Sequence, residues 1–183
     1  DEMCPYVTAR SGSKKWTNKK LIIFTEWDDT KRYIKEQIEA AIEGSDDFEN
    51  RIGVYHGPTS IKNREKIKKA FNSAPSDSPL RILICTDAAR EGLNLQSQCY
   101  NLFHFDIPSN PSRMEQRNGR IDRKLQPADK VYCHYFLYNQ RPEDKVLKTI
   151  AEKAERIVKE LGSMSPIVES KIIKVMSGGI NRG

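Results

Sequence analysis

Gln116, Arg120 and Arg123 stand at i, i+4 and i+7 within Glu115-Gln116-Arg117-Asn118-Gly119-Arg120-Ile121-Asp122-Arg123. On a helix that spacing puts all three on one face. An amphipathic helix ordinarily fills such a stripe with apolar residues. Here it holds an amide and two guanidiniums, with Gly119 beside them at a cost of about 1 kcal/mol against alanine. Two guanidiniums a turn apart suit phosphate oxygens, because each planar fork makes paired, charge-assisted hydrogen bonds. The spacing equally fits a solvated basic face, and Arg113, Arg117, Arg120 and Lys124 share a second stripe.

Residues of this kind need a frame. Leu21-Ile22-Ile23-Phe24 is a short continuous apolar run, as a strand buried on both faces requires. Asp28 or Asp29 offers an N-cap to a helix with Tyr33, Ile34, Ile38, Ala41 and Ile42 at helical spacing, ended by Gly44-Ser45-Asp46-Asp47. The alternation continues with a strand over Arg51–Tyr55 and a helix capped by Ser60 that carries Ile61, Ile67, Ala70 and Phe71. Strands over Leu80–Cys85 and Tyr100–Phe105 follow, then a helix from Pro111 to Arg123, a strand over Val131–Tyr138 and a long amphipathic helix over Glu143–Leu161. Strands alternating with helices predict an α/β fold of three layers, a mostly parallel sheet with helices on both faces. Residues 1–20 read as a linker or N-terminal arm, 21–162 as the α/β domain and 163–183 as a C-terminal extension.

In such a sheet the working loops lie at the carboxyl ends of the strands. Three polar stretches fall there: Thr25-Glu26-Trp27, His56 to Ser60, and Thr86 to Gln96. The net charge of +6 mildly favours a polyanionic partner. Cys4, Cys85, Cys99 and Cys133 form no CxxC pair and read as free thiols, and His56, His104 and His134 form no HxxxH pair, so no metal site is expected. No apolar run approaches the roughly 20 residues of a membrane span. The expected setting is the cytoplasm or nucleus, or the nucleoid in a bacterium.

Gln116-x-x-Gly119-Arg120-x-x-Arg123 resembles motif VI of superfamily 2 helicases. Ile82 to Gln96, with Thr86-Asp87-Ala88-Ala89-Arg90-Glu91-Gly92-Leu93-Asn94, resembles motif V. Leu21 to Trp27 resembles motif IV, and Tyr55-His56-Gly57 through Arg64 and Phe71 resembles the segment that follows it. The four occur in family order, and their wording is closest to the chromatin-remodeller-like and RapA-like translocases. The resemblance implies the C-terminal RecA-like lobe of such a motor. Arg120 and Arg123 then act as fingers on the ATP γ-phosphate, Gln116 lines the nucleotide cleft, and Gly92 and Asn94 lie near the nucleotide, Asn94 by the ribose. Thr25, Gly57 and Thr86 become candidate contacts to a nucleic-acid backbone, which the resemblance leans towards being double-stranded DNA.

Simpler roles stand beside these. Thr86 also suits a cap or turn, Gly92 a tight turn, Asn94 a turn-stabilising amide, and Trp27 packing over the sheet edge rather than stacking on a base. No GxxxxGK[ST] loop is present, and no Asp-Glu motif at the end of a strand to hold Mg²⁺. ATP and Mg²⁺ are therefore expected mainly on an upstream RecA-like lobe of a longer protein, and this chain alone is expected not to hydrolyse ATP. The alternative function is a non-catalytic, helicase-like scaffold for nucleic acid or protein.

Overall fold

The computed structural model describes residues 3–9, 12–87, 94–108 and 110–136, with 145, 148, 149, 152 and 156. The helix expected over Glu143–Leu161 lies, apart from those five positions, outside the described residues, as do Gly92 and the extension 163–183.

Five strands form one parallel sheet in the order β4-β5-β3-β6-β7, where β3 is Leu21–Thr25, β4 Ile52–Tyr55, β5 Ile82–Thr86, β6 Asn101–His104 and β7 Tyr132–Tyr135. β3 and β5 are buried at every position, the outcome their unbroken apolar runs require. Their side chains alternate between two cores. Leu21 and Ile23 of β3, with Ile82 and Ile84 of β5, pack under Ile34 and Ile38 of helix α1 (Asp28–Ile42). Ile22, Phe24, Leu83 and Cys85 face the other way, against Ile67, Ala70 and Phe71 of α2 (Ile61–Asn72), and against Leu95 and Ile121. The α/β fold with helices on both faces is the one the alternation predicts.

Local signals explain most boundaries. Ser60 caps α2 through its hydroxyl, which accepts the Asn63 N–H at 3.4 Å. Asp28 and Asp29, expected at the N-cap of α1, lie instead inside its first turn, and Trp27 takes the cap position without a side-chain bond. There the two carboxylates meet the positive end of the helix dipole and pair with Lys31 and Arg32. Gly44, at φ 75°, follows the end of α1 in the left-handed region that favours glycine.

The largest departure is at the C-terminus of α3, which spans Pro111–Asn118 rather than running on to Arg123. Beyond Gly119 the chain continues as turns: Arg120 N–H donates to Arg117 O at 3.1 Å and Ile121 N–H to Asn118 O at 3.0 Å. The Arg120 carbonyl accepts Leu95 N–H at 3.1 Å, a bond that a continuing helix would have taken for itself.

Residues 1–20 carry a short hairpin, β1 (Tyr6–Thr8) against β2 (Lys14–Trp16), a structure with too few residues to show a period in sequence. It packs on the α1 side of the sheet through Met3 and Trp16, and the Trp16 indole N–H donates to Ser45 Oγ at 3.0 Å. Between hairpin and β3, Lys20 is fully buried, its ammonium donating to Phe71 O at 2.6 Å and Ser73 O at 2.7 Å. The last carbonyls of α2 thereby gain a cation at the negative end of the helix dipole. Burial first, and then the charge of Arg81, bring the Lys20 amine down to about 8.

Candidate functional site

The sheet register brings the predicted edge residues together. Thr25 is the partner of Thr86 across β3 and β5, and Tyr55 of Cys85 across β4 and β5, so the turn His56-Gly57 begins level with Thr86. Adjacent strands lie about 4.8 Å apart, and Thr25, Thr86 and the His56-Gly57 turn line one carboxyl edge. Thr86 is buried, and its hydroxyl finds no hydrogen-bond partner among the described residues. A buried hydroxyl left unmatched costs free energy that an incoming acceptor would recover. The Gly57 turn is held from below: Arg64 donates to Gly57 O at 2.6 Å and to Thr59 O at 2.8 Å while lying over the Tyr55 ring. From the side, the Lys31 ammonium meets Asp28 at 2.7 Å and His56 Nδ1 at 3.3 Å, joining α1 to the same turn.

Thr25 is fully buried, and its hydroxyl donates to the Asp106 carboxylate, so it faces a carboxylate rather than solvent. Trp27, expected to pack over the edge, is 64% exposed there. The reason is its place: it is the residue before α1, past the end of β3, and among the described residues no element covers it.

A second group forms on the flank, where α3 ends. The bond from Leu95 N–H to Arg120 O sets Asn94 beside Arg120, while the Asn94 carbonyl accepts Asn72 Nδ2 at 2.7 Å. Arg120 and Arg123 are neighbours, though on turns rather than on one helical face. Burial, and next the charge of Arg123, lower the Arg120 guanidinium from its ordinary value. Arg123 is exposed, with Nε donating to Gly119 O at 2.7 Å. Gln116 is exposed on α3. Among the described residues no group of three or more His, Cys, Asp or Glu side chains is set to hold a metal ion.

The sequence reading missed what joins the two groups. Arg117 is 2% exposed, and its Nε and Nη2 hold the Asp87 carboxylate at 2.7 and 2.8 Å. Its Nη1 donates to Asp106 O at 2.8 Å, and Nη2 to Asp106 Oδ1 at 3.2 Å. Asp106 in turn accepts the Thr25 hydroxyl and the Glu26 N–H, and Glu26 pairs with Arg113. The available signal was an aspartate within two residues of the end of each of two strands, Asp87 after β5 and Asp106 after β6, beside a second arginine stripe.

His104 completes this buried cluster. Its Nε2 lies 2.9 Å from Asn118 Oδ1 and its Nδ1 3.5 Å from Arg117 Nη1, so a neutral ring with its proton on Nε2 satisfies both neighbours. Burial above all brings the imidazole from 6.5 down to about 4. Between those values the unfolded chain binds the extra proton and the folded chain does not. Stability is therefore complete above pH 6.5 and declines as the pH falls towards 4, by roughly 3 kcal/mol from this group. Urea unfolding at steps across that range should show the loss, and His104→Gln should reduce the slope.

With this geometry in view, likeness to known proteins narrows the reading. Residues 6–124 match the family described as "Helicase conserved C-terminal domain". The chain is 31% identical over 152 residues to the "Uncharacterized ATP-dependent helicase YqhH" of Bacillus subtilis, covering 81% of this chain and 24% of that protein. It is 39% identical over 79 residues to the "RNA polymerase-associated protein RapA" of Klebsiella pneumoniae, covering 43% of this chain and 8% of RapA. The chain thus spans a quarter or less of the length of these relatives. In fold it resembles the C-terminal part of the Fun30 ATPase domain, with a TM-score of 0.58 and 17% identity over 87% of this chain and 47% of the other. The parallel sheet, its order of motifs and these likenesses agree: the chain belongs to the helicase conserved C-terminal domain family, as a second RecA-like lobe of the superfamily 2 type.

Proposed function

We propose that this lobe is one half of an ATP-driven nucleic-acid motor, a translocase or helicase acting on double-stranded DNA. It supplies Arg120 and Arg123 to a nucleotide whose phosphates and Mg²⁺ are held mainly by an upstream RecA-like lobe. The observation that carries the reading is that the chain turns at the end of α3, where the Arg120 carbonyl accepts the N–H of Leu95, the residue after Asn94, and Arg123 lies exposed three residues on. Planar guanidiniums presented at such a turn make bidentate, charge-assisted hydrogen bonds to a multiply charged phosphate group. Gln116 and Gly92 complete the nucleotide side in this reading.

The carboxyl edge is the track. Thr86 and the Gly57 turn meet phosphates there, with Thr25 level with Thr86 on the next strand, fixing the Glu26-Trp27 backbone, and Trp27 exposed for a stacking contact. ATP supplies the phosphoryl group whose transfer drives the cycle. This chain's part is to orient guanidiniums towards developing charge and to hold the strand by its backbone.

The test compares ATP turnover, with and without duplex DNA, by this chain alone and by the protein carrying both lobes. Turnover that depends on the upstream lobe and rises with DNA supports the reading. Turnover by this chain alone, or DNA binding without any turnover in the two-lobe protein, sinks it.

A further inference from the structure

The carboxyl edge and the arginine flank are joined by a run of hydrogen bonds centred on the buried Arg117 and the partly exposed Asp106. It starts at Thr25, whose hydroxyl, with the Glu26 N–H at 2.9 Å, is bound by Asp106 Oδ2. Asp106 holds Arg117 through both its carboxylate and its carbonyl. The carbonyl of Arg117 accepts the Arg120 N–H at 3.1 Å. A branch leads from Arg117 to Asp87, the residue directly after Thr86. One planar guanidinium, 2% exposed and lying over Phe24 at 5.6 Å, is thus bonded to residues that follow the strand ends of β5 and β6, and through Asp106 to the end of β3. A rigid fork held at several points tilts as a unit when one of them moves, whereas a flexible ammonium would absorb the shift.

We propose that Asp106 and Arg117 are positioning residues that couple the two groups, so that a phosphate backbone engaged at the carboxyl edge sets the placement of Arg120. The inference rests on the reading of that edge as the track and of Arg120 as a finger. Neither residue need touch nucleotide or nucleic acid. Packed polar networks with fixed partners transmit small displacements of this kind.

Asp106→Ala cuts the link from β3 while leaving Arg117 its Asp87 partner and the Asp106 backbone carbonyl. Asp106→Asn keeps the shape and an acceptor, and serves if the alanine variant does not fold. In the two-lobe protein, basal ATP turnover should stay within about twofold, while stimulation by duplex DNA falls about tenfold with alanine and less with asparagine. A merely structural role would lower basal and stimulated turnover by the same factor. That outcome, or unchanged stimulation, overturns the coupling while the motor reading stands. If the unaltered two-lobe protein shows no stimulation, or Arg120→Ala leaves its turnover unaltered, the motor reading fails and the coupling with it.

Discussion

Replacing Arg120 by alanine in the two-lobe protein is expected to lower DNA-stimulated ATP turnover by about a thousandfold, the lower end of what an arginine finger contributes. The loss should fall on kcat more than on KM, because the guanidinium meets charge that develops in the transition state. Arg120→Lys keeps the charge without the planar fork and should recover only part of the rate. Arg123→Ala should cost less, about a hundredfold, since Arg123 is exposed and its Nε is already engaged by Gly119 O at 2.7 Å. Steady-state kinetics of the three variants at saturating DNA decide the matter. Equal, small effects of all three would remove Arg120 from the chemistry.

Arg117→Ala is expected to destabilise the lobe itself, by about 3–5 kcal/mol. The substitution strips a bidentate partner from Asp87, which is 6% exposed, and removes a donor from Asp106. It also removes the cation over Phe24. The favourable part of a buried pair is largely the avoidance of a lone charge, so Arg117→Met combined with Asp87→Leu should recover much of the loss. Urea unfolding of this chain reads both. If the single variant unfolds within about 1 kcal/mol of the unaltered protein, the network does not organise the strand ends as described.

The contrast between Arg120 and Arg117 shows what the chain discloses in one dimension. Strands β3 and β5 were legible because burial on both faces demands an apolar run, and Ser60 because a capping hydroxyl is a local device. The cluster of Thr25, Gly57 and Thr86 was legible too, since parallel topology gathers carboxyl ends wherever the order of strands falls. Arg117 was hidden because its partners lie 30 and 11 residues away, and nothing local separates a buried arginine from a solvated one. The end of α3 was misread for a related reason: the chain turns at Gly119 because Leu95 takes the Arg120 carbonyl, a tertiary bond that overrides helical spacing. The carboxylate that takes the Thr25 hydroxyl, Asp106, was hidden for the same reason, since it lies 81 residues on at another strand end.

The path from the hairpin into the sheet has a mechanical meaning. Thr17 N–H is tied to Pro5 O at 2.7 Å, Arg81 grips Thr17 O at 3.0 Å, and three residues on, Lys20 is pinned to the last carbonyls of α2. The next residue opens β3, the central strand of five. A pull on the arm therefore loads a strand hydrogen-bonded on both sides rather than a peelable edge. The pull meets several bonds together before it reaches the core, so the arm behaves as a strut set in masonry, not as a cord.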